Sequence, residues 1–347
     1  MDKIFFFDST LRDGSHAVSH QISVENIRNY CREIDDAGLH VVIVGHGNGL
    51  GASSLQVGLS TLSDEEMLKT ARKELKKTKL GAFLIPGFGT IKDNLNPAID
   101  GGVDLFCVAS HCTEADITKQ HIEYLRKRGK DAYGVLMMYH RASKERLLEE
   151  ALKMQSYGAQ GIILMDSAGA STPQMVAGTV KLLSDNLDVK VGFHAHNNLG
   201  LAVSNSLIAI QSGATIIDGT LRGFGAGAGN CQIEVMAGLL SKLKIETGLD
   251  LYKLMDVSED VVSKMMKSPQ EITSVSLISG LAGIFSGFAP HVKKAAVRFG
   301  IDPKDIFMEL GRRKMVAGQE DFIVEVAMYL ASKKGSEEVS YDIESLL

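Results

Sequence analysis

Short apolar runs alternate with longer amphipathic stretches through roughly the first two thirds of the chain. The runs are rich in Val, Ile, Leu and Phe, have the length of strands, and are bounded by polar or glycine-containing segments. Continuous apolar strands separated by crossover helices are typical of a parallel sheet that is covered on both faces. We predict eight strands, at residues 4–8, 40–45, 80–86, 103–110, 132–138, 161–166, 189–196 and 215–220.

The stretches between these runs have the boundary residues of helices. Examples are residues 24–37, 64–77, 114–128 and 144–157. Hydroxyl side chains favour the N-cap position of a helix, and glycine favours the position just after its end. The predicted N-caps are Ser23, Ser63, Thr113 and Ser143, and the predicted terminating glycines are Gly38, Gly129 and Gly158.

Eight consecutive strand–helix units within roughly 250 residues are typical of a closed (βα)8 TIM barrel. The rival is a doubly wound open sheet, but the first βα turn lacks GxGxxG and the number of strands favours closure. From about Leu249 onward, only helical patterns follow. We therefore predict an α/β protein with a TIM-barrel domain at residues 1–248 and a helical C-terminal domain at residues 249–347. The apolar faces of those helices must be buried on the barrel or on another chain.

The composition narrows the class of protein further. The chain has 347 residues, of which 45% are hydrophobic and 23% charged, as in ordinary globular proteins. The formal net charge is -5 without a basic block, so a nucleic-acid partner is not expected. The 4 cysteines form no CxxC pair, and no apolar run approaches the length of a membrane span. We predict a cytoplasmic protein with free thiols that binds neither nucleic acid nor membrane.

Polar residues gather where the predicted strands end, which is the rim that carries the active site in TIM barrels. The strongest signal is His194-Ala-His196 on the seventh strand. Because residues i and i+2 of a strand point to the same side, both imidazoles can face one ion. Asp13, after the first strand, can add a carboxylate, and this donor set suits a divalent transition metal. The alternative is a pair of histidines that only hydrogen-bond to neighbouring carboxylates.

Three further features lie at the same predicted rim. Arg12 can hold a substrate carboxylate or a developing enolate through paired hydrogen bonds, or it can form only a salt bridge. His16 can exchange a proton near neutral pH, although a loop histidine is more often an ordinary surface residue. The run from Gly225 to Asn230 resembles a phosphate cradle but lacks the Lys-Ser/Thr of a P-loop. We expect it to form a tight turn that brings Asn230 toward the metal.

Long motifs in the sequence resemble the metal-dependent lyase barrels, which include hydroxymethylglutaryl-CoA lyase and isopropylmalate synthase. These motifs are TLRDGSHA from Thr10, HAHNNLG from His194 and GAGAGN from Gly225. Within that superfamily, residues 110–124 and 309–321 are similar to the 4-hydroxy-2-oxovalerate aldolases, and the likeness covers nearly the whole chain. The resemblance implies a carbon–carbon lyase, a divalent-metal (class II) aldolase. Such an enzyme cleaves a 4-hydroxy-2-oxoacid, for example 4-hydroxy-2-oxopentanoate, to pyruvate and an aldehyde.

The same resemblance assigns roles by position. Arg12 would stabilise the pyruvate enolate, and His16 would take the proton from the C4 hydroxyl group. Asn230 would be a further metal ligand or a neighbour of the ligands, and no Schiff-base lysine is required. The metal would typically be Mn²⁺, with Mg²⁺, Co²⁺ and Zn²⁺ as the other candidates. The implied metal ligands are Asp13, His194 and His196, and the expected substrate contacts are Arg12, Ser167 and Phe285.

The sequence departs from the pattern of that family at three positions. Phe285 stands where the family usually has a tyrosine in the helical region, and Ile43 and Asn48 replace a glutamate and an aspartate. These changes remove one hydroxyl group and two carboxylates. We therefore expect an altered aldehyde specificity and stereocontrol, with the metal and enolate machinery retained.

Members of that family commonly pair with an acylating acetaldehyde dehydrogenase through the helical tail and act in aromatic catabolism. The resemblance implies the same here, and without such a partner the tail would complete a homodimer. Three other classes stay open: an acyl-CoA-dependent Claisen-type condensing enzyme or lyase on the same barrel, a metal hydrolase, and a non-catalytic binding protein. The aldolase-like tail argues against the first. Amidohydrolase barrels carry HxH after strand one rather than on strand seven, which argues against the second.

Overall fold

The computed structural model describes residues 3–333, and within that range eight strands close into a barrel. Every neighbouring pair is parallel, the strands follow one another in chain order, and the last strand pairs with the first. The predicted TIM barrel is therefore confirmed. The strands are β1 Phe5–Asp8, β2 Val41–Ile43, β3 Lys79–Leu84, β4 Leu105–His111, β5 Asp131–Met137, β6 Gly161–Asp166, β7 Lys190–Ala195 and β8 Ile216–Gly219.

Helices separate the strands and continue beyond the barrel. In residues 3–333 the α-helices are α1 Gly14–Ala17, α2 Val24–Ile34, α3 Asp64–Glu74, α4 Asn96–Asp100, α5 Lys119–Lys127, α6 Lys144–Ser156, α7 Pro173–Asn186, α8 Ala202–Gln211, α9 Ile233–Lys242, α10 Leu251–Val257, α11 Ser263–Met265, α12 Ser274–Ala282, α13 Ala289–Phe299, α14 Pro303–Arg312 and α15 Phe322–Lys333. None of the helices in this range is long and apolar enough to cross a membrane.

Three of the four predicted N-caps form. Ser23, Ser63 and Ser143 each accept a hydrogen bond from the backbone N–H three residues further on. The prediction for Thr113 is wrong, because its hydroxyl group lies 2.9 Å from Nδ1 of His111. The chain instead enters α5 through a 3-10 turn that begins two residues later. A local side-chain hydrogen bond thus competes with the cap, as is common for threonine.

Apolar side chains form three cores. One fills the inside of the barrel and includes Phe7, Ile43 and Phe83. A larger one lies between the strands and the surrounding helices, and it also receives Leu254 and Val262 from the helices that follow the last strand. Helices α12–α15 enclose a core of their own. The separate tail core therefore begins after α11, and the last part of the predicted 249–347 domain, residues 334–347, lies outside the described residues.

Candidate active site

The loop after β1 and the end of β7 bring the three residues of the sequence-predicted metal site together. One ligand atom from each of Asp13, His194 and His196 lies within 4.8 Å of the other two, and all three residues are buried. The two histidines are separated by one residue, so the alternation of side chains along β7 directs them to the same side. The structure thus forms the predicted cluster at one end of the barrel.

Several polar atoms of this cluster are buried without a partner. Neither ring nitrogen of His194, nor Nδ1 of His196, nor Oδ1 of Asn230 has an aligned hydrogen-bond partner. Buried polar atoms in native proteins nearly always have one. Two neutral imidazoles and one carboxylate form a donor set that suits a divalent cation, to which each ring would offer its single lone pair. The residues present therefore fit a metal.

The glycine-rich turn after β8 holds Asn230 against Asp13. Nδ2 of Asn230 donates a hydrogen bond to Oδ2 of Asp13 at 2.5 Å, and the backbone N–H of Ala226 donates to the same oxygen at 3.2 Å. A side chain at Gly225 would collide with both the Asn230 amide and the Asp13 carboxylate. Glycine is needed here for this close approach, and the turn contacts a carboxylate rather than forming a phosphate cradle.

Arg12 is buried against Asp13 and retains an unused donor. Nη1 lies 2.9 Å from Oδ1 of Asp13 and 3.3 Å from the carbonyl oxygen of Gly47, and Nη2 donates to Oγ of Ser9 at 3.2 Å. The guanidinium also lies over the ring of Phe83, 4.8 Å from its centroid. Its Nε–H is buried and has no partner. Arg12 therefore forms the salt bridge that was the alternative to anion binding, and its Nε–H is still available for an anion.

The ionisation of the cluster follows from burial and from the neighbouring charges. Burial by itself would raise the pKa of Asp13, but His196 and Arg12 outweigh it and hold that pKa well below its usual range. Burial lowers the pKa of His16 to about 4, against an opposing effect of Asp13. Burial also lowers the pKa of His196. At neutral pH, Asp13 is thus a carboxylate, and the imidazoles of His16 and His196 are uncharged, so they can accept a proton or bind a metal.

A cavity of about 250 Å³ adjoins the cluster, and its walls combine polar and apolar groups. No lysine is among the described residues that line it. The polar lining residues are Arg12, Asp13, His16, Asn48, His196 and Glu320. The larger apolar ones are Phe83, Ile85, Pro86, Phe88, Met137, Met165 and Phe285. A small anionic molecule with an apolar chain matches such a lining.

His16 and Phe285 line both this cavity and a neighbouring one of about 550 Å³. Their ring centroids are 6.4 Å apart in an edge-to-face arrangement. A side chain at Gly47 would collide with the imidazole of His16. The tail segment that carries Phe285 thus forms part of the site, together with the loops of the barrel.

The other residues singled out in the sequence have different positions. Ser167 is not among the described residues that line either cavity. Its hydroxyl oxygen accepts a hydrogen bond from the backbone N–H of Met138 at 3.1 Å, and its carbonyl oxygen accepts one from Oγ of Ser286 at 3.2 Å. Ser167 therefore joins two loops and the tail, and it does not line the cavity as the substrate contact implied by the resemblance would require. Ile43 is buried in the inner core of the barrel, whereas Asn48 lines both cavities.

Sequence reasoning gave no role to Asn198, which lies two residues after His196. Its Nδ2 donates to the carbonyl oxygen of Ala168 at 2.9 Å and to Oγ of Ser286 at 2.8 Å. Its Oδ1 accepts from the backbone N–H of Ala228 at 2.9 Å. One buried amide thus joins the loop after β6, the glycine-rich turn and the tail. The one sequence feature that could have indicated a role for Asn198 is its position two residues after His196.

Comparisons with known proteins agree with this architecture. The HMGL-like family model matches residues 3–261, and the DmpG-like communication domain matches residues 270–332. The 4-hydroxy-2-oxovalerate aldolase of Pectobacterium atrosepticum is 54% identical over 331 residues, which is 95% of this chain and 96% of that protein. The chain belongs to the 4-hydroxy-2-oxovalerate aldolase family. The family member from Spirochaeta aurantia is 52% identical over an alignment that covers 94% of this chain and 96% of that protein.

A solved structure extends the likeness of this aldolase-family chain to a more distant protein. The carboxyl transferase domain of Rhizobium etli pyruvate carboxylase superposes with a TM-score of 0.80 at 16% sequence identity. The match covers 99% of this chain and 64% of that one. At this identity it shows the fold alone.

Proposed function

We propose that the protein is a divalent-metal-dependent aldolase, a carbon–carbon lyase that cleaves a 4-hydroxy-2-oxoacid to pyruvate and an aldehyde. The observation that carries this proposal is the buried cluster of Asp13, His194 and His196 beside a cavity lined by Arg12 and His16. Membership of the family supports the same reaction, because its curated members share about half of their residues with nearly this whole chain.

Asp13, His194 and His196 would hold the cation, and Asn230 would keep the Asp13 carboxylate in place through its hydrogen bond. When bound, the cation supplies Lewis-acid stabilisation of the negative charge on the enolate of a 2-oxoacid. We propose Mn²⁺ as the native ion, because the family resemblance implies it, and Mg²⁺, Co²⁺ and Zn²⁺ are the ions to compare.

Arg12 would bind the anionic end of the substrate. Its guanidinium is held by Asp13, Ser9 and the carbonyl oxygen of Gly47, and its buried Nε–H has no partner. A charged donor that is already oriented and desolvated stabilises a developing oxyanion without reorganisation. We assign Arg12 to the carboxylate or enolate oxygen of the pyruvate half.

His16 would act as the base on the C4 hydroxyl group. Its lowered pKa keeps the imidazole uncharged at neutral pH, so it can accept that proton as the C3–C4 bond breaks. The bonding electrons pass to the pyruvate half as its enolate, and the C4 half leaves as the aldehyde. Phe285, whose ring lies edge-to-face with His16, would contact the departing aldehyde.

Three alternatives have less support. A Schiff-base aldolase needs a lysine at the substrate, and none is among the described residues that line the cavity. An acyl-CoA-dependent Claisen-type enzyme does not account for the tail, which matches the communication domain. A metal hydrolase of the amidohydrolase type has less support as well, because the histidine pair lies at the end of β7 rather than after β1.

We propose further that the tail contacts an acylating acetaldehyde dehydrogenase that consumes the aldehyde, as part of aromatic catabolism in the cytoplasm. The match of residues 270–332 to the communication domain supports this assignment. The tail also exposes apolar side chains that such a contact would bury. These are Leu277, Leu281, Val297, Val324 and Met328. Alternatively, a second copy of this chain would bury the same surface in a homodimer.

The reaction can be tested directly. The purified protein with Mn²⁺ and 4-hydroxy-2-oxopentanoate should release pyruvate, which lactate dehydrogenase reports through NADH oxidation. Chelation should stop the release and added Mn²⁺ should restore it. The absence of pyruvate across a series of 4-hydroxy-2-oxoacids of increasing chain length would contradict the proposal. Release of CoA from acetyl-CoA and a 2-oxoacid would instead support the Claisen-type enzyme.

A further inference from the structure

Asp218 is a buried carboxylate that the mechanism above leaves without a role. It lies on β8, with 3% of its surface exposed. The strand register pairs it with His194 on β7 and with Phe7 on β1. Because paired residues of neighbouring strands project to the same face of a sheet, Asp218 shares the inner face of the barrel with His194 and Phe7.

The Asp218 carboxylate has two polar neighbours. Oδ2 lies 3.0 Å from Nδ1 of His194, and Oδ1 accepts a hydrogen bond from Oγ of Ser9 at 2.8 Å. Oγ of Ser9 also accepts from Nη2 of Arg12, and Nη1 of Arg12 lies 2.9 Å from Oδ1 of Asp13. A continuous series of polar contacts therefore runs from His194 to Asp13, and both of these residues belong to the proposed metal site.

The contact with Asp218 distinguishes the two nitrogens of His194. Nδ1 is at hydrogen-bond distance from a carboxylate, although its N–H is not aligned with it, and Nε2 has no partner. A carboxylate can accept but not donate a hydrogen bond, so the ring proton is favoured on Nδ1 and the lone pair on Nε2. Histidines that bind metals usually direct their second N–H to a carboxylate, a carbonyl oxygen or water, which fixes the ring.

We propose that Asp218 is a positioning residue that holds the His194 imidazole with Nε2 free for the divalent cation, and that Ser9 holds Asp218 in turn. This inference rests on the metal site of the proposed function. Asp218 acts through His194 and does not touch the substrate. Ser9 bonds both Asp218 and Arg12, so the same hydroxyl group couples the position of the ligand to that of the anion-binding guanidinium.

Asp8 provides a matched control. It is also a buried carboxylate, and it lies on β1, the strand that pairs with β8. Its side chain projects to the other face of the barrel wall, where it accepts hydrogen bonds from Oη of Tyr30 at 2.6 Å and from the backbone N–H of Thr10 at 2.9 Å. Asp8→Asn therefore removes a buried charge of the same kind without removing a contact to His194.

The first measurement is the Kd for Mn²⁺ alone, from the electron paramagnetic resonance signal of the free ion. Asp218→Asn should weaken binding about 10- to 100-fold, the usual effect of losing the carboxylate partner of a metal-binding histidine. Ser9→Ala should weaken it by a smaller factor, and Asp8→Asn should leave it within about threefold. Circular dichroism and thermal unfolding of the metal-free proteins report whether each variant folds.

The second measurement separates positioning from a purely structural role. With saturating Co²⁺, the visible absorption of the bound ion reports its ligands and their geometry. Asp218→Asn should change this spectrum because the His194 ring is no longer held, whereas Asp8→Asn should leave it unchanged. A role in folding alone would lower the unfolding temperature of Asp218→Asn and leave the spectrum of bound Co²⁺ as in the wild type.

The outcomes distinguish this inference from the proposed function. If the wild-type protein binds neither Mn²⁺ nor Co²⁺, the proposed metal site itself is wrong. If the wild type binds and Asp218→Asn binds with the same Kd and the same spectrum, the positioning role is overturned and the site stands. If Asp218→Asn does not fold, Mn²⁺ binding by Ser9→Ala tests the positioning role instead. Weaker Mn²⁺ binding by Ser9→Ala supports the role, and unchanged binding overturns it.

Discussion

Buried carboxylates on the two sides of the barrel wall have different surroundings. On the outer side, Asp8 accepts hydrogen bonds from the backbone N–H and the hydroxyl group of Thr10 and from the hydroxyl group of Tyr30. All three donors are neutral, and the one from Tyr30 joins β1 to α2. On the inner side, Asp13 and Asp218 lie against the Arg12 guanidinium and the imidazoles, of which some nitrogens have no partner. The outer carboxylate is held by contacts within the fold, whereas the inner ones have neighbouring nitrogen atoms without a partner, which supports the proposed metal site.

The pKa values show the same contrast. Burial raises the pKa of Asp8 to about 6, because its neutral donors offset only part of the desolvation. Burial also acts to raise the pKa of Asp13, but His196 and Arg12 hold it well below its usual range. Burial alone therefore does not separate structural carboxylates from functional ones. The charge and the unsatisfied atoms of the neighbours do so.

The largest expected effect comes from removing the charge of Asp13. Asp13→Asn keeps the size of the side chain but removes the anionic ligand, so Mn²⁺ binding should be lost. The value of kcat/KM for pyruvate release should fall by at least about 1,000-fold, since metal stabilisation of the enolate supplies several kcal/mol. Asp8→Asn is the matched control and should retain both properties. Wild-type Mn²⁺ affinity in Asp13→Asn would show that the inner side is not the metal site.

The second-largest effect is expected from removing His16, the proposed base. His16→Ala should lower kcat by about 100- to 10,000-fold, the usual contribution of a positioned general base. Mn²⁺ affinity should stay as in the wild type, because His16 is not one of the three clustered ligand residues. Steady-state pyruvate release and Mn²⁺ titration measure the two quantities separately. Loss of Mn²⁺ from His16→Ala would show that this imidazole supports the metal and that its assignment as base is wrong.

Local sequence pattern was enough to predict the barrel and the cluster of Asp13, His194 and His196. The alternation of side chains at the end of β7 places the two histidines on one side, and the ends of parallel strands meet at one rim. Both the barrel and the cluster could therefore be predicted from residues that are close in sequence. The contact between Ser9 and Asp218 joins positions 209 residues apart in the chain, and it exists only because β8 closes onto β1. The position of Ser167 depends on hydrogen bonds to another loop and to the tail, and strand position alone could not show them.

A smaller effect is expected at the apolar wall of the cavity. Phe285→Tyr introduces the residue that the family resemblance leads us to expect at this position, and it adds a hydroxyl group beside His16. A polar group there should disfavour an apolar aldehyde chain. The ratio of kcat/KM for 4-hydroxy-2-oxopentanoate to that for a longer homologue should therefore rise by about 3- to 10-fold. Mn²⁺ affinity should not change. An unchanged ratio would show that Phe285 does not contact the aldehyde half of the substrate.

The smallest expected effect is a pH dependence of stability that arises from Asp8, on the outer side of the barrel wall. The pKa of Asp8 is about 6 in the folded protein, above the ordinary value of 3.8. Between these values the unfolded chain has already lost a proton that the folded protein still holds, so rising pH favours unfolding. The stability that this group contributes is present below about pH 4 and is lost as the pH passes 6. The whole shift corresponds to about 3 kcal/mol at most, or a few degrees in the unfolding temperature.

Thermal unfolding of the metal-free wild type and of Asp8→Asn between pH 4 and pH 8 measures the contribution of Asp8 ionisation to stability. The asparagine does not titrate, so the difference between the two proteins isolates Asp8 from the other carboxyl groups. The wild type should lose stability relative to the variant as the pH rises from 4 to 7, and the difference should then level off. A difference that stays constant over this range would mean that Asp8 ionises like an exposed carboxyl group. Its neutral donors would then offset the whole effect of burial on the charge, and the contrast in pKa between Asp8 and Asp13 would be smaller than described above.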